Sequence, residues 1–230
     1  MELSKRLQAV ADRVTFGLKV ADIGTDHGYI PIYLVENKKN PSAVAMDINK
    51  GPLKKAEENI ALHGLEGYIE TRLSNGAEKL QCKEADSIVI AGMGGGLVIR
   101  IMEQDEEIFK NVKEFILQPQ SEIWKVRKYL MENDYKIIQE DMVLEDGKFY
   151  PMMKVINGKT EHYSMTELQY GKFLLQDRHP VLKQFLEKEF RIKEGIYQNL
   201  NENHSGNIQR MNELEEELKQ IKEALCVFKR

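Results

Sequence analysis

Short apolar runs alternate with helix-like segments over the first half of the chain, and this alternation constrains the fold most strongly. Each run ends in glycine or polar residues, and the segment Leu53–His63 between two of them has a helical pattern that stops at Gly64. Alternation at this spacing predicts a doubly wound parallel sheet of the α/β class. The predicted strands are Lys19–Ile23, Ser42–Met46, Ile69–Leu73, Asp86–Ala91 and Phe115–Leu117.

The pattern changes after the fifth strand and the helix Ile123–Glu132. Two further strands, Lys136–Leu144 and Lys148–Ile156, are joined through Glu145–Gly147, a sequence typical of a β-hairpin. Five parallel strands followed by an antiparallel pair are therefore expected. A plain dinucleotide-binding fold would continue with another parallel strand.

Residues 159–230 form a different kind of segment, which begins after Asn157–Gly158. A helix is predicted over Thr166–Leu175, and two long helices follow that carry apolar stripes and Glu-rich faces. With a turn at Asn203–Asn207, they predict an antiparallel coiled-coil hairpin. The expected domains are 1–158 and 159–230. The stripes consist of Leu182, Phe185, Ile192, Ile196 and Leu200, and of Leu214, Leu218, Ile221, Leu225 and Phe228.

Composition excludes several classes of protein. The net charge of −4 argues against tight non-specific binding of nucleic acid, although it leaves room for a local basic patch. Cys82 and Cys226 lack metal-ligand spacing and indicate a reducing compartment. The first residues form no apolar signal core but a short amphipathic helix with Lys5, Arg6 and Arg13 on its polar side. We therefore expect a cytoplasmic protein without metal or membrane segment.

The turn after the first strand carries the chemistry. Asp22-x-Gly24-x-x-x-Gly28 differs from the Gly-x-Gly-x-x-Gly of hydride-transfer enzymes, since Asp26 stands in its middle. Asp47 ends the second strand, and Asn75 follows the third. A glycine turn with an acid some twenty residues on is common to nucleotide binders.

In this order, these signals resemble S-adenosylmethionine-dependent methyltransferases of the doubly wound fold. The resemblance implies that Asp22 and the glycines hold the methionine part of the donor, and that Asp47 binds the ribose hydroxyls. Asn75 and Gly76 would cradle the adenine. The antiparallel final strand is a further mark of that fold.

Longer motifs resemble one bacterial family, the tRNA (adenine-22-N1)-methyltransferases known as TrmK, over nearly the whole chain. Its most specific segment is Ala91–Gly95, in place of the Asp/Asn-Pro-Pro-aromatic motif of amino-group methyltransferases. The other motifs are Leu3–Leu7, Asp22–Tyr29, Leu117–Gln120 and Glu145–Tyr150. The resemblance implies S-adenosyl-L-methionine as cofactor, S-adenosyl-L-homocysteine as product and tRNA as partner. The implied cofactor-binding residues are Asp22, Gly24, Thr25, Gly28, Asp47, Ile48, Asn75, Gly76, Ala91, Gly92 and Met93.

The chemistry at adenine N1 requires little from the protein. N1 is a ring nitrogen with a lone pair and no proton to lose, so in-line attack on the sulfonium methyl needs no general base. Orienting the two atoms about 3 Å apart can supply roughly 7–11 kcal/mol. Asp26 is the candidate to stabilise the positive charge on the base, and Tyr29 the candidate to stack on a flipped base. His27 is either a third active-site residue or a structural hydrogen-bond partner.

Two other functions remain open at the level of sequence. One is a small-molecule methyltransferase whose hairpin serves as a lid or dimer arm. The other is a non-catalytic regulator that binds the cofactor and uses the coiled coil as an interaction arm. The expected assembly is a monomer or a weak dimer.

Overall fold

The computed structural model describes residues 1–202 and 208–229. The strands are β1 (Val20–Ile23), β2 (Ala43–Asp47), β3 (Ile69–Leu73), β4 (Ser87–Met93), β5 (Glu114–Pro119), β6 (Tyr135–Glu145) and β7 (Lys148–Asn157). The helices are α1 (Lys5–Arg13), α2 (Tyr29–Glu36), α3 (Lys50–Leu62), α4 (Gly95–Gln104), α5 (Glu106–Asn111), α6 (Ile123–Glu132), α7 (Met165–Tyr170), α8 (Lys172–Gln176), α9 (Pro180–Glu202) and α10 (Ile208–Cys226), with a 3₁₀ turn at Val227–Lys229.

The strands of the described residues form one sheet in the order β3-β2-β1-β4-β5-β7-β6. The five predicted parallel strands are confirmed, with β1 between β2 and β4. The predicted hairpin is also confirmed, but its last strand, β7, lies between β5 and β6 in the sheet. It pairs antiparallel with both of them. Consequently β6 runs in the direction of the first five strands, and β7 alone is reversed.

Burial on both faces explains the unbroken apolar runs of the central strands. All four residues of β1 and all six of β5 are buried, because helices cover both sides of a parallel sheet. Where α6 crosses the sheet, the core encloses an ion pair, with Arg127 Nε 2.8 Å from Glu140 Oε1. Such a pair persists only when both charges are fully hydrogen-bonded.

The predicted N-terminal amphipathic helix is confirmed as α1. Ser4 caps it by accepting a hydrogen bond from the Leu7 N–H, and Val10 and Ala11 are buried beneath it. Its polar side reaches the β6–β7 hairpin, where Arg13 pairs with Asp141. This packing brings the start of α1 to the edge of the sheet at which the parallel strands end.

The chain divides into two compact units, Met1–His162 and Tyr163–Arg230. In the second unit α7 begins at a capping box made by Ser164 and Glu167. Gly171, with a φ of 94°, separates α7 from α8, so the predicted single helix over Thr166–Leu175 is two short helices.

The two long helices of the second unit pack antiparallel. Phe190 contacts Lys222 by a cation–π interaction, Lys193 pairs with Glu217, and the Tyr197 hydroxyl donates to Glu215. Residue numbers therefore increase along α9 while those of the contacting residues on α10 decrease, as expected for antiparallel helices. Leu182, Leu214, Leu218 and Ile221 of the predicted stripes are buried, whereas Ile192 and Ile196 are 47% and 42% exposed. The predicted turn at Asn203–Asn207 lies outside the described residues.

Candidate active site

A cleft lies at the carboxyl ends of β1, β2 and β4, where ligands bind in open α/β sheets. It consists of a large cavity of about 490 Å³ and a small cavity of about 180 Å³. Both cavities are lined by Arg6, Gly24, Asp26 and Ala91, so they meet at these residues.

The turn after β1 forms the floor of the cleft. Gly24 has a φ of 75°, which favours glycine, and its N–H and that of Thr25 both donate to the Met46 carbonyl at 2.8 Å. A Cβ on Gly24 would lie 2.1 Å from Met93 Cε. Glycine is therefore required here both by the backbone angle and by the close approach of Met93.

Asp22 is a buried carboxyl group beneath this turn, and its side chain lines the small cavity. Burial, with a smaller contribution from the nearby negative charge of Asp47, raises the pKa of Asp22 to about 6. The buried Thr25 hydroxyl acts in the opposite direction: it favours the charged form of Asp22 and so lowers the pKa of that carboxyl group. Such a carboxylate is stabilised by a cationic ligand.

Asp47 ends β2 and lines the large cavity. Its Oδ1 accepts a hydrogen bond from the Asn49 N–H at 2.6 Å, which orients the carboxylate. Within the described residues no ion pair joins Asp22 or Asp47 to a cation. Next to Asp47, the Ile48 side chain is 61% exposed at the cavity wall, an apolar surface available to a flat ligand.

The turn after β3 forms the far wall of the large cavity. Asn75 is exposed there, and Gly76 has a φ of 63°. Behind them, Asp105 Oδ2 accepts from the Ala77 N–H at 2.8 Å. A Cβ on Gly76 would lie 2.9 Å from that oxygen, so glycine lets the turn lie against α4 and its C-cap.

The end of β4 forms the wall between the two cavities. The register of β4 with β5 shifts between Ala91 and Met93, and Gly92 has a φ of 83°. The Gln120 N–H donates to the Met93 carbonyl at 2.8 Å. A Cβ on Gly92 would lie 3.6 Å from Arg6 Nη1 and 3.7 Å from Gln120 Nε2, so Gly92 faces two polar side chains.

The middle of the first turn carries Asp26, His27 and Tyr29. The Asp26 side chain is 78% exposed and its Oδ1 lies 3.1 Å from His27 Nε2. The rings of His27 and Tyr29 stack with centroids 5.3 Å apart. The His27 carbonyl accepts from the Asn59 amide, which ties the turn to α3.

A cavity of about 610 Å³ lies at the opposite edge of the sheet, where the loops precede β1, β2 and β3. It is lined by apolar and lysine side chains such as Phe16, Tyr68 and Lys38. Its acid, Glu36, is already bound by the Met1 amino group and by His63. We therefore assign the chemistry to the cleft at the carboxyl ends, although this cavity is larger.

Comparison with known proteins identifies the family. The sequence model described as tRNA (adenine(22)-N(1))-methyltransferase, TrmK, matches residues 20–223. The chain belongs to the TrmK family. The tRNA (adenine(22)-N(1))-methyltransferase of Bacillus subtilis (strain 168) is 33% identical over 232 residues, 98% of each chain.

Two solved structures are similar to the TrmK-family chain over its full length. Streptococcus pneumoniae Sp1610 in complex with S-adenosyl-L-methionine has a TM-score of 0.89 at 34% identity, covering 97% of this chain and 100% of Sp1610. M. capricolum TrmK in complex with S-adenosyl-homocysteine has a TM-score of 0.86 at 31% identity, covering 99% of both chains.

Most of the predicted site residues of this TrmK-family chain lie around the cleft. Tyr29 lines the small cavity, and Asp26 lines both. Thr25, His27 and Gly28 belong to the same turn but do not line either cavity within the described part of the chain. The predicted residues on the cavity walls are Asp22, Gly24, Asp47, Ile48, Asn75, Gly76, Ala91, Gly92 and Met93.

Several cleft residues of the TrmK-family chain were not singled out from the sequence. Leu97 and Arg100 come from α4, and Arg6 comes from α1. Gln120 was visible only as part of the Leu117–Gln120 motif, without a role. Arg6 was visible only as part of a polar helix face and of the Leu3–Leu7 motif, without a place in the cleft, because the strands it meets lie far along the chain.

The described ranges 1–202 and 208–229 contain no helix long and apolar enough to cross a membrane. The same residues contain no group of three or more His, Cys, Asp or Glu side chains placed to hold a metal ion.

Proposed function

We propose that this protein transfers the methyl group of S-adenosyl-L-methionine to N1 of adenine 22 in tRNA. The observation that carries the proposal is the cleft. A ligand there would meet a buried carboxyl group, a second carboxyl group suited to ribose hydroxyls, and an exposed apolar side chain. Membership of the TrmK family and the full-length likeness to the Sp1610 complex with S-adenosyl-L-methionine support it.

The residues of the cleft fit the donor part by part, with Asp22 on the wall of the small cavity and the others on the wall of the large one. Asp22 and Asp47 are carboxylates without a protein cation among the described side chains, as suits a ligand that carries an ammonium and a sulfonium. Within the described ranges, the hydrogen bond that Asp47 accepts from the Asn49 N–H uses Oδ1, so Oδ2 would be available to the two ribose hydroxyls. Ile48, Asn75 and Gly76 would surround the adenine, while Gly24, Ala91, Gly92 and Met93 pass along the methionine part.

The small cavity would receive the target base. When bound, S-adenosyl-L-methionine supplies an activated methyl group, and the lone pair of N1 is the nucleophile, so no side chain must remove a proton. The protein's contribution is orientation and exclusion of water. Asp26, on the rim of both cavities, would stabilise the cationic product base, and Tyr29 would stack on it. His27 would hold Asp26 and Tyr29 in place through its contacts with both.

The remaining parts of the proposal concern the rest of the molecule. The second unit, Tyr163–Arg230, would grip the folded tRNA through phosphate contacts, so that recognition depends mainly on shape. We place the reaction in the cytoplasm and assign its catalytic unit to a monomer or weak dimer.

The test is methylation of unmodified tRNA with isotope-labelled donor, followed by mass spectrometry of the nucleosides. One labelled N1-methyladenosine at position 22 is expected. A transcript with guanine at position 22 is the control and should remain unlabelled. Label at another position or nucleoside, or transfer only to small metabolites, would contradict the proposal.

The donor site has its own test in Asp47→Ala. Removing a charged hydrogen-bond acceptor costs about 1.5–3 kcal/mol per bond, so affinity for the donor should fall roughly 100-fold or more. Isothermal titration calorimetry measures this, with thermal unfolding to confirm an intact fold. Unchanged affinity would exclude Asp47 from the ribose site.

A further inference from the structure

Arg6 is a cation at the junction of the two cavities, and the proposed function above gives it no role. We propose that the Arg6 guanidinium binds an anionic oxygen group of a substrate, which makes Arg6 a substrate-binding residue. The inference rests on the proposed function, since it takes the two cavities to be the donor and target sites.

Two contacts orient the Arg6 side chain, and a third fixes its backbone. Its Nη1 donates to Gln118 Oε1 in β5 at 3.0 Å, and its guanidinium carbon lies 5.5 Å from the centre of the Tyr150 ring in β7. Its backbone N–H donates to Glu145 Oε1 at 3.2 Å. The guanidinium is therefore oriented before any ligand binds, which reduces the entropy lost on binding.

The charge of Arg6 is not neutralised by the protein. Arg13 pairs with Asp141 and Arg72 with Glu84, whereas Arg6 and Arg100, which both line the large cavity, have no ion pair within the described residues. Arg6 has no carboxylate within ion-pair distance across residues 1–202 and 208–229, and Glu145 accepts from its backbone N–H. Asp22 and Asp26 line the small cavity with Arg6 but form no ion pair with it. A guanidinium has five N–H donors, and the contact with Gln118 leaves most of them for a ligand.

The position of Arg6 limits which group it can bind. It lines both cavities, and its Nη1 lies against Gly92, on the wall between them. The reacting base is excluded as its ligand, because methylation at N1 makes that base cationic and like charges repel. The anions that remain are the α-carboxylate of the donor's methionine part and a backbone phosphate of the target nucleotide. Both match the planar donors of a guanidinium.

The test compares Arg6→Gln and Arg6→Lys with Lys5→Gln in the full chain. Lys5 is the matched control, because it lies on the same helix and its removal changes the net charge equally. Among the described residues its Nζ donates to the Leu144 carbonyl, at 3.4 Å, and it lines neither cavity. Calorimetry gives the affinity for S-adenosyl-L-homocysteine and for 5′-methylthioadenosine, which lacks the carboxylate. Filter binding gives the affinity for tRNA as a function of salt.

If the anion is a phosphate, Arg6→Gln lowers tRNA affinity about tenfold and reduces the slope of log affinity against log salt by about 0.7–0.9, with S-adenosyl-L-homocysteine affinity unchanged. If it is the carboxylate, affinity for S-adenosyl-L-homocysteine falls about tenfold while that for 5′-methylthioadenosine does not. In both cases Arg6→Lys recovers part of the loss, because it keeps the charge.

Two results would overturn the inference. One is an Arg6→Gln protein whose affinities for both ligands match those of Lys5→Gln. The other is an Arg6→Lys protein that loses as much as Arg6→Gln and unfolds at the same lowered temperature, which would make Arg6 a support for Gln118 and Tyr150 only. Failure of the wild-type protein to methylate tRNA while it still binds donor and tRNA contradicts the proposed function and leaves these binding comparisons valid.

Discussion

Two acids that end neighbouring strands differ in their surroundings. Asp22 is buried under the glycine turn, and its pKa is raised to about 6, whereas Asp47 is half-buried and hydrogen-bonded to the Asn49 N–H. In the proposed function, a donor with an ammonium and a ribose would use this difference, because the buried acid gains most from a positive charge and the open one can reach hydroxyl groups. Keeping the buried Asp22 charged lowers the stability of the folded protein.

The first prediction concerns donor affinity and pH. With a pKa of about 6 in the free protein, Asp22 is about nine-tenths protonated at pH 5, so donor affinity should rise about tenfold from pH 5 to pH 7. Calorimetry in matched buffers measures this. Asp22→Asn should bind the donor weakly and lose this pH dependence. A wild-type affinity that does not change over this range would show that the charge of Asp22 does not contribute to donor binding.

The stability of the free protein should show the opposite sign. The folded pKa of Asp22 lies above its ordinary value of 3.8, so its contribution to stability is greatest below pH 4 and is lost as pH rises to 6. The shift corresponds to about 3 kcal/mol, and Asp22→Asn should recover up to that amount at pH 7 but little at pH 4. Urea unfolding at both pH values is the measurement. Equal gains at both pH values would show that the charge is not the cause.

The second prediction concerns Gly24→Ala. Alanine at a φ of 75° costs about 1–2 kcal/mol, and its Cβ would displace the Met93 side chain at the cavity wall. Both stability and donor affinity should therefore fall. Gly147→Ala is the control, since Gly147 has a φ of 73° and no atom within 4 Å of a Cβ. It should lose stability alone; equal loss of donor affinity in both variants would contradict the role of Met93.

At the scale of elements, the sheet depends on long-range packing at its reversed edge. Strand β7 is inserted between β5 and β6, and α6 covers β6 through the buried pair Arg127–Glu140. Periodicity predicted β6 and β7 as a hairpin but carried no information on which of them would meet β5. Similarly, the helical pattern of Thr166–Leu175 did not reveal the break that Gly171 imposes at a φ of 94°.

The third prediction tests the buried pair. Glu140→Gln leaves the Arg127 charge buried without its carboxylate, which should cost about 3–5 kcal/mol of unfolding free energy. The double variant Arg127→Met with Glu140→Leu removes both charges and should lose much less. Denaturant unfolding of all three proteins decides the matter. Equal losses in the single and double variants would point to packing rather than charge.

At the scale of the whole molecule, the cavity proposed to hold the donor lies within the unit Met1–His162. The large cavity is lined by residues between Arg6 and Gln120, all within that unit. The second unit, Tyr163–Arg230, contributes an antiparallel helix pair and has exposed Ile192 and Ile196 on α9. This division predicts that donor binding and tRNA binding can be separated.

The fourth prediction is a truncation after His162. The shortened protein should bind S-adenosyl-L-homocysteine within about twofold of the full chain, whereas its tRNA affinity should fall roughly tenfold or more as phosphate contacts are lost. Circular dichroism and thermal unfolding serve as folding controls. Methylation of tRNA at the full rate by the truncated protein would show that the second unit is not a grip.

The sequence alone determined the five parallel strands, the antiparallel hairpin that follows them, and the acids and glycines at the strand ends. These features depend on local patterns: apolar runs set the strands, and parallel strands bring their carboxyl ends to one edge. It also predicted the site residues from a family resemblance, and their individual roles remain predictions for the tests above.

Only the tertiary structure decided which residues from distant elements complete the lining of the cleft. Arg6 meets Gln118 across 112 positions of the chain, and Gln120 and Arg100 reach the cleft from different elements. The raised pKa of Asp22, the close approach of Met93 to Gly24 and the insertion of β7 likewise result from packing between distant segments. A local pattern specifies which element a residue belongs to, but the partners across the fold decide its charge state and its access to a ligand.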